Sequence, residues 1–204
     1  MEKINGNAKF STGILTAALG ESSALFVCNK RDSVKKIILE KGAKLNFFSI
    51  LNPGASIRSS FSLSEGSSLK ITEIFYGETK AENIIEIQGK NCSLQLSAKG
   101  IIADGQSSSY NAEIRLPPSS INANVNLEEH ALLLGPNSRA SLFPGIDAQH
   151  SELRARHSSS IRQMDEGQVF YLMSRGLPRK EAEKEISVGF VSSERSEIEK
   201  LFGR

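Results

Sequence analysis

The side chains in this chain that could do chemistry are few and dispersed. Cys28 and Cys92 stand far apart, with no CxxC and no Cys/His ligand spacing, so they do not read as a self-contained metal site. A reducing compartment would keep them as thiols, and each is expected to serve as a small buried hydrophobe. The three histidines, His130, His150 and His157, have no Gly-x-Ser-x-Gly elbow to work with, which argues against serine nucleophile catalysis. The stretch "GQSSSYN" at 105–111 lacks the lysine of a phosphate-binding loop. Asp104, Glu113, Glu128 and Glu129 are scattered, and the chain has no tryptophan to stack a sugar, so paired-acid glycoside chemistry is a poor fit. Arg139, Arg154, Arg156 and Arg162 form a basic group, but the alternation in "ELRARHSSSIR" points these side chains off one face, as on a solvated edge.

These residues must be positioned by two kinds of element. Up to about residue 160 the chain shows short alternating runs broken by small residues, the pattern of many short strands. In "INANVNL", residues 121–127, apolar side chains point one way and asparagines the other. "GAKLNFFSILNP", "GASIRSSFSLSE" and "GSSLKITEIFYG" begin at Gly42, Gly54 and Gly66, a spacing of 12 residues. That unit suits one or two strands plus a glycine corner, and stacking such units gives a β-solenoid. A β-sandwich of similar strand spacing remains open from the strands alone. From residue 165 the pattern turns helical. Asp165 can cap a helix carrying Val169, Phe170, Leu172 and Met173 on one broad face, with Gly176 as its terminator. A second helix follows Pro178 and ends near Val191, and Ser193 can cap a third. The expected division is a β-rich core at 1–162 and a helical domain at 163–204.

The net charge of +2, from 25 basic and 23 acidic residues, provides no global field toward nucleic acid or an anionic membrane. The longest apolar runs are far short of the roughly 20 residues a membrane span needs, and the N-terminal residues lack a signal-peptide core. A cytoplasmic protein is expected.

The segment "FYLMSRGLPRKEAEKEISVGF" resembles the C-terminal signature of the SufB/SufD family of iron–sulfur cluster assembly scaffolds, through Phe170, Tyr171, Leu172, Arg175, Gly176, Leu177, Ala182, Gly189 and Phe190. Upstream, Leu132, Leu133, Leu134, Pro144 and His157 match that family in order and spacing. The resemblance implies a mainly β protein, a right-handed parallel β-helix followed by a small C-terminal α-helical domain. It also implies a non-enzymatic scaffold or adaptor role beside a SufC-like ABC ATPase, docked through Phe170, Tyr171, Arg175, Gly176, Arg179 and Lys180. Family members pair through their β-helix cores, so a homodimer, or a heterodimer with a SufB/SufD paralogue, is expected. Typical members are about twice as long and carry an N-terminal helical region with no counterpart here.

Departures from the family limit the expected chemistry. Glu129 stands where the SufB branch has an essential cysteine, Ser158 where it has a glutamate, and Ala155 where the SufD branch has a cysteine. Only His157 carries over. His157 and Glu129 are the candidate metal ligands, and the cargo implied is iron or an iron–sulfur cluster held in transit. One imidazole and one carboxylate do not make a stable cluster site, which normally needs thiolates. The other expectation is therefore an interaction module that keeps the fold and has lost cluster binding.

Overall fold

The computed structural model describes residues 2–10, 13–29 and 33–202. Strands β1 (Glu2–Phe10) and β2 (Gly13–Cys28) are followed by β3 (Ser33–Leu39), β4 (Ala43–Leu51), β5 (Ser56–Leu63), β6 (Ser68–Tyr76), β7 (Lys80–Ile87) and β8 (Ser93–Ile102). Then come β9 (Ser107–Leu116), β10 (Ala123–Leu133), β11 (Arg139–Ala148) and β12 (Leu153–Gln163), and after them α1 (Glu166–Ser174), α2 (Arg179–Phe190) and α3 (Ser192–Phe202). Every strand pairing is parallel. β2 bends between two sheets: its first half pairs with β3 and its second half with β4. From there the odd-numbered strands extend one sheet to β11, and the even-numbered strands extend the other to β12. The chain therefore alternates between two sheets, one rung per pair of strands, as a β-solenoid. An antiparallel sandwich is overturned by the parallel ladders.

The corners explain the repeat. Gly42 and Gly66 have φ of 71° and 69° and stack at one corner, where the Gly42 amide donates to the Glu65 carbonyl at 2.9 Å. Asn91 and Asn122 continue that corner at φ 56° and 58°, a conformation asparagine tolerates better than most residues. Gly54, φ 85°, turns the opposite corner. The 12-residue unit is thus one strand plus one corner, and two units make a rung: Lys35 stacks on Ser59 and Ser59 on Asn83. Later corners lengthen, so Asn83 stacks on Ala112 and Ala112 on Pro144, and the sequence repeat fades.

Stacking creates a continuous aliphatic column, with Leu45, Leu69, Leu94 and Val125 in register and all buried. Each such side chain contributes about 1.5–3 kcal/mol on burial. Aromatic rings fill the wider levels: Phe47 meets Phe61 edge-on at 5.3 Å, and Phe75 stacks on Tyr110 at 5.2 Å. Strand β10 begins at Ala123, so Ile121 and Asn122 belong to the corner rather than to the strand as expected. Cys28 and Cys92 are both buried.

The helices cover the outer face of the even sheet. Ile198 of α3 and Val191, at the α2–α3 junction, pack against Leu25, Phe48, Ile74 and Ile101, with Phe202 edge-on to Phe48 at 5.7 Å. Lys70–Glu197 at 2.5 Å and Lys99–Glu194 at 3.0 Å tie α3 to β6 and β8. α3 starts at Ser192, so Ser193 lies inside the helix instead of capping it, and its hydroxyl donates to Glu194 at 2.8 Å. The helices' main packing contacts among the described residues are with β2 and β6 of the even sheet.

Candidate functional site at the open end and the helical hairpin

Strand periodicity sends every second residue into the solenoid, and a few of those residues are polar. Lys35, Glu73, Asn83, Tyr110 and Glu129 are all buried. The Asn83 side-chain amide donates to Glu73 Oε2 and to the Tyr110 hydroxyl, each at 2.8 Å, and that hydroxyl donates to Glu73 Oε2 at 2.5 Å. Burial, followed by the charge of Glu73, pushes the Tyr110 phenol well above its ordinary range. Burial pulls the Lys35 ammonium down to about 7, against the opposing pull of Glu73. Its Nζ lies over the Phe26 ring, 2.7 Å from the centroid.

Glu129 is the extreme case. It is fully buried, and neither carboxyl oxygen has a hydrogen-bond partner among the described residues. Burial and the nearby charge of Glu73 push its carboxyl up to about 8, so it holds its proton at neutral pH. Glu129 pairs with Ser159 of β12, while His157 pairs with Leu127 of β10. Both occupy the interior face of adjacent strands, one inward step apart. Among the described residues β12 is the last strand of its sheet and no rung covers it; His157 is therefore exposed although its position points inward.

The β10–β12 register brings the two candidate ligands onto one face, but their environments differ: one is a sealed, protonated carboxyl and the other an imidazole at the mouth. Among the described residues no group of three or more His, Cys, Asp or Glu side chains could hold a metal ion. Cys92 is no help, since its thiol donates to the Ser64 and Gly89 carbonyls at 3.1 and 3.3 Å, at the corner before β8. The donor set of this chain does not fit a resident iron–sulfur cluster. The other histidines are held by serines: His130 Nδ1 and Ser160 Oγ lie 2.8 Å apart, and His150 Nε2 and Ser120 Oγ lie 2.9 Å apart. Arg154, Arg156 and Arg162 share the outer face of β12, whereas Arg139 lies on β11 in the other sheet, so the four arginines do not form one face.

The hairpin after β12 is bolted down on one side and open on the other. Asp165 caps α1 by accepting from the Gly167 amide at 2.8 Å, and Gly176 ends the turn at φ 98°. Val169 and Ala182 are buried against Met164 and Leu132, with Leu172 and Ile186 packed beside them. The broad apolar face expected of α1 splits in two. Val169 and Leu172 face inward, while Phe170, Tyr171 and Met173 are 73%, 56% and 41% exposed. Helical periodicity is the cause, since adjacent positions cannot share one contact face. Phe170 therefore does not fasten the hairpin to the solenoid. The Arg175 guanidinium lies over the Tyr171 ring at 5.3 Å, and Lys180 is exposed. Arg179 is engaged within the hairpin, at 2.5 Å from Glu166 and 2.8 Å from Glu183.

Sequence reasoning missed Lys35, Glu73, Asn83 and Tyr110. The signal was available: Leu69, Ile71, Glu73 and Phe75 share one strand parity, as do Ala81, Asn83 and Ile85, so each polar residue occupies an inward position.

The described residues thus form a two-sheet parallel solenoid with helices packed on one outer face and β12 at the edge of its sheet, the architecture of a β-solenoid class of protein. Residues 33–190 match the family model for the SufBD core domain of the SUF system of FeS cluster assembly, and the chain belongs to that family. It is 28% identical over 138 residues to the iron–sulfur cluster assembly SufBD family protein ycf24 of Porphyra purpurea, an alignment covering 68% of this chain and 28% of that protein. It is 30% identical over 104 residues to the iron–sulfur cluster assembly protein SufD of Bacillus subtilis, covering 51% of this chain and 24% of that one. The chain thus spans about a quarter of the length of these two relatives. Among the described residues no helix is long and apolar enough to cross a membrane.

Proposed function

We propose that this chain is a non-catalytic scaffold or adaptor subunit in iron–sulfur cluster assembly, acting in the cytoplasm with a SufC-like ABC ATPase. Family membership supports the process. The observation that carries the partnership is the split face of α1: the signature residues Phe170, Tyr171 and Arg175 are exposed while Val169 and Leu172 anchor the helix to the β core. Aromatic and arginine side chains on a rigid, anchored element make effective interface anchors. ATP-driven approach of two ATPase subunits then pulls on the hairpins and reshapes the open ends of two paired solenoids. The partner across that open end is a second copy or a SufB/SufD paralogue.

Co-purification with a SufC-like ATPase tests the docking face. Tyr171→Ala and Arg175→Glu are each expected to weaken binding about tenfold or more. Arg179→Ala, which removes contacts inside the hairpin, is expected to weaken it less. Unchanged binding in both of the first two variants would remove the assigned surface.

The buried, protonated Glu129 supports a second reading, an adaptor that has lost cluster binding. Anaerobic reconstitution with iron and sulfide separates the two. A cluster absorbance that His157→Ala abolishes supports a site shared across the interface, and no absorbance with ATPase binding intact supports the adaptor.

A further inference from the structure

Between the ends of β10 and β12 and the helical hairpin lies a cavity of about 480 Å³, a size suited to a small organic ligand. The buried Leu132 and the half-buried Ile186 and Phe190 give it an apolar floor, and the exposed Arg162, Gln163 and Gln168 give it a polar rim. Leu132 and Arg162 pair across the β10–β12 ladder, so the sheet itself sets floor and charge side by side.

Two cations flank the Phe190 ring, and they differ in what neutralises them. Lys99 lies 5.4 Å from the ring centroid, pairs with Glu194 at 3.0 Å and donates to the Phe190 carbonyl at 2.9 Å. The Arg162 guanidinium lies 5.9 Å from the same centroid, is exposed, and makes no ion pair or hydrogen bond among the described residues. Among those residues the one carboxylate lining the cavity is Asp165. It is engaged at the start of α1, where it accepts from the Gly167 amide at 2.8 Å and the helix N-terminus offsets its charge.

Gly189 is an independent sign that the space is kept open. It lies within α2, its φ is outside the left-handed region, and a methyl added to it would meet nothing within 4 Å. Glycine weakens a helix relative to alanine, and neither backbone conformation nor packing requires it here. Beside Phe190 and one turn after Ile186, its missing side chain leaves one wall of the cavity open.

We infer that this cavity binds a small carboxylate with a flat apolar body, the carboxylate paired with Arg162 and the body laid on Phe190 across the open wall at Gly189. A guanidinium grips a carboxylate through two parallel hydrogen bonds, and the amides of Gln163 and Gln168 supply further donors. One unmatched cation suits a single negative charge, and the apolar floor offers nothing to a bare inorganic anion. None of the residues proposed to dock the ATPase lines this cavity, so that reading stands or falls separately.

The test titrates the full chain with phenylpropionate and with its neutral counterpart phenylpropionamide, and follows backbone amide shifts by NMR. The acid is expected to bind in the millimolar range, as suits a fragment of its size, and about fivefold more tightly than the amide. Shifts should centre on Gln163, Gln168, Gly189 and Phe190. Arg162→Gln should remove the acid's advantage and leave amide binding in place. Gly189→Leu should abolish binding of both by filling the open wall. Gly189→Ala should raise the melting temperature by about 1–4 °C.

Equal binding of acid and amide by the wild-type chain would overturn the inference. So would no binding of the acid, shifts centred elsewhere, or unchanged acid affinity in Gly189→Leu. A Gly189→Ala protein that melts below the wild type also overturns it, because the helix itself would then need the glycine. Arg162→Gln, a substitution at an exposed position, decides the matter alone should Gly189→Leu fail to fold: an acid preference that survives it ends the proposal.

Discussion

β10 and β12 are neighbours in one sheet, paired in register along the whole of β12, yet they have opposite fates. The inward residues of β10, Ala123, Val125, Leu127, Glu129 and Ala131, are buried. Their counterparts on β12 are Leu153, Ala155, His157, Ser159 and Ile161, and most of these are exposed. Interior rungs fill their inward positions by volume, because the next rung closes over them. The last rung fills them with small and polar side chains among two aliphatic ones. A long apolar edge left open would pair with any exposed strand, and the composition of β12 restrains that. The inward face of a solenoid strand therefore records whether another chain segment covers it.

The difference breaks most sharply under truncation. Leu127→Ala removes a fully buried side chain from the column and is expected to destabilise the fold by about 3 kcal/mol. His157→Ala, one strand over and in register with it, is expected to change stability by no more than about 0.5 kcal/mol in the isolated chain. Urea unfolding of both variants checks this. If the two losses are equal, β12 is covered in the isolated chain and the open-end description fails.

Charge sharpens the same comparison, because only the sealed interior turns titration into stability. Lys35 titrates near 10.5 in the unfolded chain and at about 7 in the folded one. Below pH 7 both states hold the proton, and the folded state bears the full penalty of a buried ammonium. Between pH 7 and 10.5 the folded state releases its proton while the unfolded chain keeps it, so this residue's contribution to stability rises with pH. Lys35→Met is expected to abolish that rise, which should amount to on the order of 3 kcal/mol after structural relaxation. Thermal melts of both proteins at pH 6.5 and pH 9.5 read the difference directly. Parallel pH profiles would mean that Lys35 reaches water.

Much of this was legible in the sequence, and the limits have physical reasons. The glycines at 42, 54 and 66 announced the corners because a left-handed corner favours glycine. From Asn91 on the corners lengthen and asparagine replaces glycine at the corner begun by Gly42 and Gly66, so periodicity could not follow the solenoid to its open end. The solenoid and the sandwich looked alike because strand spacing carries no direction; only the ladders distinguish parallel from antiparallel pairing. Asp165 and Gly176 marked α1 because capping is local chemistry. The side on which Phe170 lies was not legible, since it depends on where the solenoid's last strand presents Leu132 and Met164 to the hairpin. His157 and Glu129 were picked out as candidate ligands through the family resemblance, and the shared inward face came only with the strand register. The burial of one and exposure of the other depend on whether a further strand covers β12, and among the described residues β12 is the edge of its sheet.

The smallest effect comes from two glycines, one in each region. Gly100 pairs with Phe75 across the β6–β8 ladder, and an added methyl would collide with the Phe75 ring. That ring stacks on Tyr110, whose hydroxyl bonds to Glu73, so Gly100→Ala must disturb the buried network as well. The expected cost is about 1–3 kcal/mol. Gly145, on the open β11, would place the same methyl 3.6 Å from the Ala112 carbonyl oxygen, an ordinary contact. Its backbone is not in the left-handed region, so Gly145→Ala should be neutral or stabilise by about 0.5 kcal/mol through the unfolded state. Calorimetric melts of the two variants compare sealed and open rungs with one and the same added methyl. A loss at Gly145 equal to that at Gly100 would show that the terminal rung packs as tightly as the interior, leaving no free edge for a partner strand to join.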